Sequence, residues 1–210
     1  MTTTRHEPLA PARILVLVSG EGTNMRALVD AAGDPAWGAS IVAVGADRQC
    51  AGLGWAAERG IATFCHPYVR GADRDEWDQQ LAGLIAGYAP DLIICAGYLK
   101  LLGPAVLGAF DGRILNTHNS LLPAFPGIRG PADAIEAGVK VAGATLFFVD
   151  PGVDTGRIVA QTVVPVLDDD DAESLLDRIK VAERAQLVEA VGRLIREGWT
   201  VDGRRLRFGA

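Results

Sequence analysis

Short apolar runs alternate with stretches of helical spacing along the first half of the chain. Arg13 to Val18 is the first run, and the glycines within Gly20 to Gly22 end it. Met25, Leu28 and Ala32 then recur at the three- and four-residue intervals of an amphipathic helix. The alternation continues, and it predicts strands over 40–45, 61–64, 91–96 and 113–117, with helices over 51–59, 73–88 and near 107–110. Strands joined through helices imply parallel pairing with right-handed crossovers.

The second half of the chain has a different rhythm. Val139 to Val149 and Gly156 to Val166 predict two strands around a short turn, and a directly connected pair of this kind is antiparallel. A long helix is expected from Ala172 to Gly198, followed by a terminal hairpin through Asp202-Gly203. The predicted fold class is α/β: a doubly wound, mostly parallel twisted sheet with an antiparallel C-terminal edge and flanking helices.

The domain organisation is expected to be simple. Residues 1–11 are polar and contain no apolar segment of signal-peptide length, so they predict a flexible N-terminal tail. Residues 12–210 contain no linker, repeat or low-complexity stretch, and their length suits a single domain.

Composition limits the classes of partner. The net charge is −6 without a Lys/Arg-rich run, whereas nucleic-acid binding needs a clustered basic face. The three cysteines have no CxxC spacing and no His/Cys cluster is present, so we expect reduced thiols, a cytoplasmic location and no catalytic metal. No segment predicts a membrane span. The expected partners are small molecules, and the sequence leaves open whether the protein is a monomer or a homodimer.

The first turn, Ser19 to Asn24, has the composition of an anion site. Its glycines allow the backbone to approach a ligand, and the helix that follows directs N–H groups at it, so a phosphate is the expected guest. The turn lacks the glycine spacing of dinucleotide sites and the Lys of a P-loop, and an ordinary strand-to-helix turn explains it equally well. Glu21 would repel a phosphate and is expected to point to solvent.

Polar residues cluster at the end of the last parallel strand, in the segment Leu115-Asn-Thr-His-Asn-Ser-Leu-Leu-Pro123. Asn116 and His118 are two residues apart, so their side chains share one face of an extended chain. Since His6 lies in the tail and His66 precedes a proline, His118 is the candidate acid or base. Taken alone, a histidine at a strand end is as often structural.

The Gly- and Asp-rich turn after the next strand offers a carboxylate. A carboxylate close to His118 would favour the charged imidazolium and fix the ring. Asp154 is the preferred candidate over Asp150, which is expected to end its strand. Turns of this composition are also commonly structural.

Five motifs occur in order between Ile14 and about Arg207: SGEGTN, AGYLKLL, LNTHNSLLPAFPG, GVKVAGATLFFVDPGVDTGRIVAQ and RIKVAERAQLV. Through them the chain resembles the folate-dependent formyltransferase family and, within it, the phosphoribosylglycinamide formyltransferases, also called glycinamide ribonucleotide transformylases. The Asn-x-His-x-Ser-Leu-Leu-Pro core with a downstream Asp-x-Gly also marks methionyl-tRNA formyltransferases. The absence of a second domain favours the group with a small substrate.

The resemblance implies a reaction in purine biosynthesis. The amine of glycinamide ribonucleotide would take the formyl group from 10-formyltetrahydrofolate, a co-substrate. Asn116 and protonated His118 would stabilise the developing oxyanion. Asp154 would keep His118 charged and help the proton to reach the folate nitrogen.

The resemblance also implies the binding residues. Residues 12–110 would form the nucleotide- and phosphate-binding half, and residues 111–210 the catalytic and folate-binding half. The ribonucleotide contacts would be Gly22, Thr23, Asn24, Lys180 and Glu183. The folate contacts would be Arg74, Leu99, Lys100, Leu101, Leu102, Asn116, Asp150 and Asp154. Without the resemblance, Lys180 and Glu183 would be read as a solvated helix face.

The chain departs from the family pattern at four positions. Asn119 follows the histidine where a Pro or a small residue is usual, and Arg129 stands where a His is common. Phe147 replaces a frequent strand His, and Lys100 a common Arg. These departures leave open the exact amine acceptor and the rate of formyl transfer. Arg129 could bind an additional anionic group of the substrate.

Three other functions are compatible with parts of this pattern. A related enzyme could formylate another amine, such as an amino sugar nucleotide. Hydrolysis of formyl-folate would normally come with an additional regulatory domain. A non-catalytic folate- or nucleotide-binding module would be expected to lack one member of the trio, but all three are present. A Rossmann-type dehydrogenase is disfavoured because the first turn lacks its fingerprint.

Overall fold

The computed structural model describes residues 3–209, and the elements within them form two sheets with surrounding helices. The strands are β1 (Thr3–His6), β2 (Ala12–Val18), β3 (Ala39–Ala46), β4 (Thr63–Cys65), β5 (Leu92–Cys95), β6 (Ile114–His118), β7 (Val141–Phe148), β8 (Ile158–Pro165), β9 (Trp199–Asp202) and β10 (Arg205–Phe208). The helices are α1 (Thr23–Ala32), α2 (Ala51–Ala57), α3 (Arg74–Ala86), α4 (Pro104–Ala109), α5 (Gly130–Glu136) and α6 (Ala172–Glu197), with a 3₁₀ turn at Pro35–Trp37.

The main sheet has seven strands in the order β4-β3-β2-β5-β6-β7-β8. The pairs from β4 to β6 are parallel, and β7 pairs with β8 antiparallel. The predicted fold class is therefore confirmed. The chain order reverses between β2 and β5, and ligands of doubly wound sheets settle beyond the carboxyl ends of strands at such a switch point.

Strand β2 shows why the apolar runs form the centre of the sheet. Ile14 to Val18 are wholly buried, and Met25 and Leu28 of α1 are as fully buried. A strand covered on both faces needs apolar side chains in both directions, so a continuous run replaces the polar alternation of a half-exposed strand. Cys95 in β5 is buried as well, and burial raises the pKa of its thiol to about 12. It behaves as a small hydrophobic residue, as the sequence indicates.

The antiparallel edge rests on the longest helix. Ala142, Ala144 and Val164 pack against Leu175 and Ile179 of α6 in one apolar cluster. The helix begins at a capping box in which the Asp171 carboxylate accepts backbone N–H groups and Ser174 reaches back to the N-cap backbone.

A small three-stranded sheet, β1-β9-β10, differs from the sequence expectation. The predicted terminal hairpin is present as β9 and β10. However, the stretch expected to be a flexible tail contains β1, which pairs antiparallel with β9, and the His6 ring stacks on Trp199 at 4.5 Å. Met1 and Thr2 lie outside the described residues. The local pattern could not show this strand, because its partner lies at the other end of the chain.

Contacts divide the chain into two compact units. The N-terminal unit is Leu9–Asn116, and the C-terminal unit combines Met1–Pro8 with Thr117–Ala210. The boundary falls within β6, after Asn116, whereas the sequence predicts one domain with halves divided after residue 110. No helix within residues 3–209 has the length and apolar character that would let it cross a membrane.

Candidate active site

His118, the last residue of β6, has an oxygen atom near each ring nitrogen. Its Nε2 lies 2.8 Å from the Phe125 carbonyl oxygen, and its Nδ1 lies 3.7 Å from Oδ2 of Asp154. A carbonyl only accepts hydrogen bonds, so Nε2 carries a proton in this arrangement. The side chains of His118 and Asp154 are 11% and 12% exposed, respectively. The C-terminal unit thus brings together the histidine and carboxylate that the sequence selected.

The Asp154 carboxylate is held in place by backbone geometry. Oδ2 accepts a hydrogen bond of 2.7 Å from the Gly127 N–H, and Asp154 itself adopts a left-handed φ of 54°. Asp is among the few non-glycine residues that enter this region readily. Asp150 has a different role, because its Oδ1 accepts the Gly152 N–H and the Thr155 hydroxyl and so closes the turn.

The loop after His118 is fixed by polar contacts in its interior. The buried Thr145 hydroxyl donates to the Ser120 carbonyl at 2.7 Å and accepts the Leu122 N–H at 3.0 Å. The Gln161 amide donates to the Leu122 carbonyl at 2.8 Å and to Thr145. Because buried polar groups are costly unless paired, this network selects one loop conformation. Thr145 and Gln161 lie within the fourth motif, but sequence reasoning did not select either as a site residue.

Thr117 connects strand β6 to helix α6. Asn116 and His118 share one face of β6, whereas Thr117 lies on the other. Its hydroxyl donates to Oε1 of Glu183 at 2.7 Å, and Glu183 is only 4% exposed. Glu183 is therefore not on the solvated surface that its pattern suggested. Lys180, on the same helix, is half-exposed and lies 3.3 Å from Asp177.

The first turn of the N-terminal unit passes through a left-handed glycine directly into helix α1. Gly22 caps α1 with a left-handed φ of 70°, and a Cβ at this position would lie 2.8 Å from Cε of Met25. Thr23 and Asn24 are the first two residues of α1. The expected orientation of Glu21 is confirmed, because its side chain is 77% exposed and lies 3.8 Å from Arg26.

The loop from Leu99 to Gly103 follows β5 in the same unit. Leu99 and Leu101 are among the most exposed apolar side chains of residues 3–209. The Arg74 guanidinium donates to the Leu101 carbonyl and lies 4.1 Å from the centre of the Trp77 ring. Lys100 Nζ lies 5.9 Å from the centre of the Tyr68 ring.

Two buried side chains that are not among the predicted catalytic or binding residues hold this loop at its ends. Ser19 Oγ accepts the Leu99 N–H at 2.8 Å. The Asp78 carboxylate accepts N–H groups of Gly103, Ala105 and Val106 at 2.7 to 3.2 Å. The sequence contains one signal for Asp78: it lies beside Trp77 and Leu81 on the apolar face of the predicted helix. A carboxylate buried there requires hydrogen-bond partners.

The structure shows the surroundings of three of the four residues that depart from the family pattern. Arg129 lies 3.3 Å from Asp133 and 3.5 Å from Glu136, so its charge is already balanced within the C-terminal unit. Phe147 is buried in β7. The Asn119 carbonyl oxygen lies close to Gly130, where a Cβ would approach it to 2.7 Å. Among residues 3–209, no group of three or more His, Cys, Asp or Glu side chains could hold a metal ion.

Comparison with known proteins gives a consistent result. The sequence profile of the formyl transferase family matches residues 12–191, and the chain belongs to this family. It is 50% identical over 206 residues to the phosphoribosylglycinamide formyltransferase of Mycobacterium tuberculosis, covering 98% of this chain and 95% of the relative. The corresponding Escherichia coli enzyme is 34% identical, covering 91% of this chain and 88% of the relative.

Solved structures agree with the sequence comparison. The glycinamide ribonucleotide transformylase 1 of Symbiobacterium toebii superimposes with a TM-score of 0.91 at 39% identity, and the match covers 95% of this chain and 94% of that one. A formyltetrahydrofolate deformylase from Pseudomonas syringae pv. tomato shares the fold with a TM-score of 0.88 at 22% identity, and the match covers 95% of this chain and 66% of that one.

Proposed function

We propose that this protein is a phosphoribosylglycinamide formyltransferase of purine biosynthesis, which transfers a formyl group from 10-formyltetrahydrofolate to the amine of glycinamide ribonucleotide. The His118–Asp154 pair carries the proposal, because it supplies a proton donor beside a fixed negative charge in the C-terminal unit. The near full-length similarity to the Mycobacterium tuberculosis enzyme supports the choice of substrates. A cytoplasmic location is part of the same proposal.

The first step is attack by the substrate amine on the formyl carbon. A bond forms between the amine nitrogen and the formyl carbon, and the formyl oxygen becomes an oxyanion. In the proposed imidazolium form of His118 both ring nitrogens carry a proton. The Nε2 proton is engaged by the Phe125 carbonyl, whereas Nδ1 lies 3.7 Å from Oδ2 of Asp154, too far for a hydrogen bond, so the Nδ1 proton is available to that oxyanion. The Asn116 amide, on the same face of β6, is the proposed second donor.

The second step breaks the bond between the formyl carbon and folate N10. The proton that the amine loses must reach N10, so that the products are neutral at both nitrogens. Asp154 stabilises the imidazolium electrostatically and can accept the amine proton and pass it on through water. The Gly127 N–H keeps the carboxylate oriented during this transfer.

Binding is assigned to the remaining residues. Gly22, Thr23 and Asn24 hold the phosphate with loop and helix N–H groups, and Lys180 and Glu183 contact the rest of the ribonucleotide. The folate contacts are those that the family resemblance implies: Arg74, Leu99, Lys100, Leu101, Leu102, Asn116, Asp150 and Asp154.

The test is a spectrophotometric assay of folate deformylation with and without glycinamide ribonucleotide. Turnover that requires the ribonucleotide and yields its formylated product supports the proposal. Formate release without an amine acceptor would instead indicate a hydrolase. Folate binding without turnover would contradict this choice of acceptor, and a panel of phosphorylated amines would then identify the correct one.

A further inference from the structure

Three strand ends of the N-terminal unit are connected by one chain of side-chain contacts. Ser19 directly follows β2, and its Oγ accepts the Leu99 N–H at 2.8 Å in the loop after β5. Asp47 directly follows β3 and is hydrogen-bonded to the Ser19 side chain. Arg48 lies 2.7 Å from the same carboxylate. These contacts therefore join the two sides of the switch point between β2 and β5.

The Asp47 and Ser19 side chains, which form the centre of this contact chain, are buried. Asp47 is 3% exposed and Ser19 is 7% exposed. Burial on its own would raise the pKa of the Asp47 carboxyl, but hydrogen bonds from Arg48 and Ser19 outweigh burial and lower the pKa. The carboxylate therefore stays ionised and keeps the Ser19 hydroxyl pointed towards it. Because the Ser19 hydroxyl proton is donated to Asp47, the lone pairs of Ser19 Oγ are directed at the Leu99 N–H.

The loop that receives this contact cannot be held by its own side chains. Leu99 and Leu101 are 66% and 67% exposed, so they gain little from packing in the free protein. Backbone contacts hold the loop instead, from Ser19 at Leu99, from Arg74 at Leu101 and from Asp78 at Gly103. An exposed apolar loop with a fixed backbone is preorganised for an apolar ligand face.

We propose that Ser19 and Asp47 are positioning residues for the formyl-folate loop, defined here as Leu99–Leu102. In this proposal Asp47 orients Ser19, and Ser19 fixes the backbone at Leu99, so that the loop is in its binding conformation before the folate arrives. Neither residue touches a substrate. The inference rests on the proposed function, because that function assigns the loop to folate.

The turn Gly20–Asn24, which the proposed function assigns to the phosphate and which we call the phosphate loop, has a separate anchor. Although Ser19 directly precedes Gly20, the Gly20 carbonyl accepts the Gly52 N–H at 3.0 Å, independently of the Ser19 hydroxyl. Loss of the hydroxyl should therefore affect folate more than the ribonucleotide. A general weakening of the N-terminal unit would affect both substrates together.

The test compares Ser19→Ala and Asp47→Asn with the wild type. We expect Ser19→Ala to raise the KM for 10-formyltetrahydrofolate by about five- to tenfold, the equivalent of one lost hydrogen bond, and to leave the KM for the ribonucleotide within about twofold. Asp47→Asn, which keeps an acceptor for Ser19, should show a smaller change of the same kind. Ser40→Ala, at an exposed position of β3, is the matched control and should change neither KM.

Hydrogen exchange of the free enzyme provides a readout that does not depend on turnover. Ser19→Ala should accelerate exchange in peptides covering 97–103 and leave peptides covering 20–24 unchanged. Equal rises in both KM values, or unchanged exchange over 97–103, would overturn the proposal. If the wild type has no activity with these substrates, the proposed function fails, whereas the exchange result still decides whether Ser19 fixes this loop.

Discussion

His118 is the residue on which the proposed chemistry depends most. Its Nε2 is engaged by the Phe125 carbonyl, so the ring cannot rotate freely, and Nδ1 is the nitrogen presented towards Asp154. Replacing His118 with Ala should reduce kcat by at least about 100-fold, as expected for a lost proton donor. The Kd for folate, measured by fluorescence titration, should change far less. A rate within a few-fold of the wild type would remove His118 from the mechanism.

Thr117, next to His118, is expected to affect binding of the ribonucleotide, because its hydroxyl donates to Glu183. Thr117→Val keeps the β-branched shape of a strand residue but removes the donor to the buried Glu183 carboxylate. We expect the KM for the ribonucleotide to rise by about fivefold to tenfold, with the folate KM unchanged, because the carboxylate loses one hydrogen bond.

The control for Thr117→Val is Thr4→Val, which makes the same chemical change at an exposed strand position. It should leave both KM values unchanged. If Thr117→Val alters only thermal stability, the contact between Thr117 and Glu183 is structural and does not contribute to binding of the ribonucleotide.

At the scale of single residues, the sequence allowed candidate acid–base residues to be selected, but it did not show the side chains that hold the surrounding loops and strands. His118 and Asp154 could be selected because acid–base chemistry needs a few residue types, and these stand out at a strand end and in a turn. Thr117, Ser19 and Asp78 could not, since each acts through a hydrogen bond to a residue distant in the chain. Glu183 was identified by resemblance, but its burial depends on the packing of α6 and was not visible in the sequence.

Helix α2 approaches the phosphate loop closely at Gly52, a residue without a side chain. A Cβ on Gly52 would lie 2.9 Å from the Gly20 carbonyl oxygen, whereas a Cβ on Gly54 would meet nothing within 4 Å. Gly52→Ala should therefore displace the loop and raise the KM for the ribonucleotide several-fold. Gly54→Ala makes the same change in the same helix and should stabilise it slightly, by up to about 1 kcal/mol. Steady-state kinetics and thermal melts of both variants test this, and equal KM values in the two would contradict it.

Helix α6 begins at a cluster whose contribution to stability depends on pH. The Arg178 guanidinium, with backbone and Ser174 donors, lowers the pKa of the Asp170 carboxyl. Since the folded-state pKa lies below the unfolded one, the unfolded chain binds protons more readily in acid. The contribution of Asp170 is thus complete above the ordinary carboxyl pKa of about 4 and is lost as the pH falls below it.

Asp170→Asn should reveal this dependence. The variant should have a lower Tm than the wild type at pH 7. The difference should narrow as the pH falls below about 4, because the Asp170 carboxyl of the unfolded wild-type chain then binds a proton that the folded carboxyl resists. Thermal melts across that range provide the measurement. A Tm difference that is constant with pH would show that Asp170 acts through its shape rather than its charge.

At the scale of elements, regular segments with a buried face could be predicted, and short polar ones could not. The alternation of β2 to β6 with helices was visible because each segment carries its own apolar pattern. Helix α5 and strand β1 were missed: one is a seven-residue helix beginning at Gly130-Pro131, and the other has four largely exposed residues. Both exist because of partners elsewhere in the chain.

The whole molecule also depends on contacts between distant parts of the sequence. Strand β1 belongs to the C-terminal unit although it lies at the start of the chain, and Gly198 fits directly against the His6 carbonyl, where a Cβ would come within 2.4 Å. The main chain therefore returns to its own beginning after α6. This sheet lies outside every residue set assigned to substrates, which separates its role in stability from the proposed chemistry.

Removal of residues 1–8 tests this separation. The truncated protein loses the pairing of β1 with β9 and the stacking of His6 on Trp199, so its Tm should fall by roughly 5 °C or more, while kcat and both KM values at 25 °C should remain close to the wild type. His6→Ala, which removes only the stacked ring, should lower the Tm by a smaller amount. An unchanged Tm in the truncated protein would mean that this segment behaves as the flexible tail predicted from its composition, whereas a loss of activity at full stability would assign it a part in catalysis.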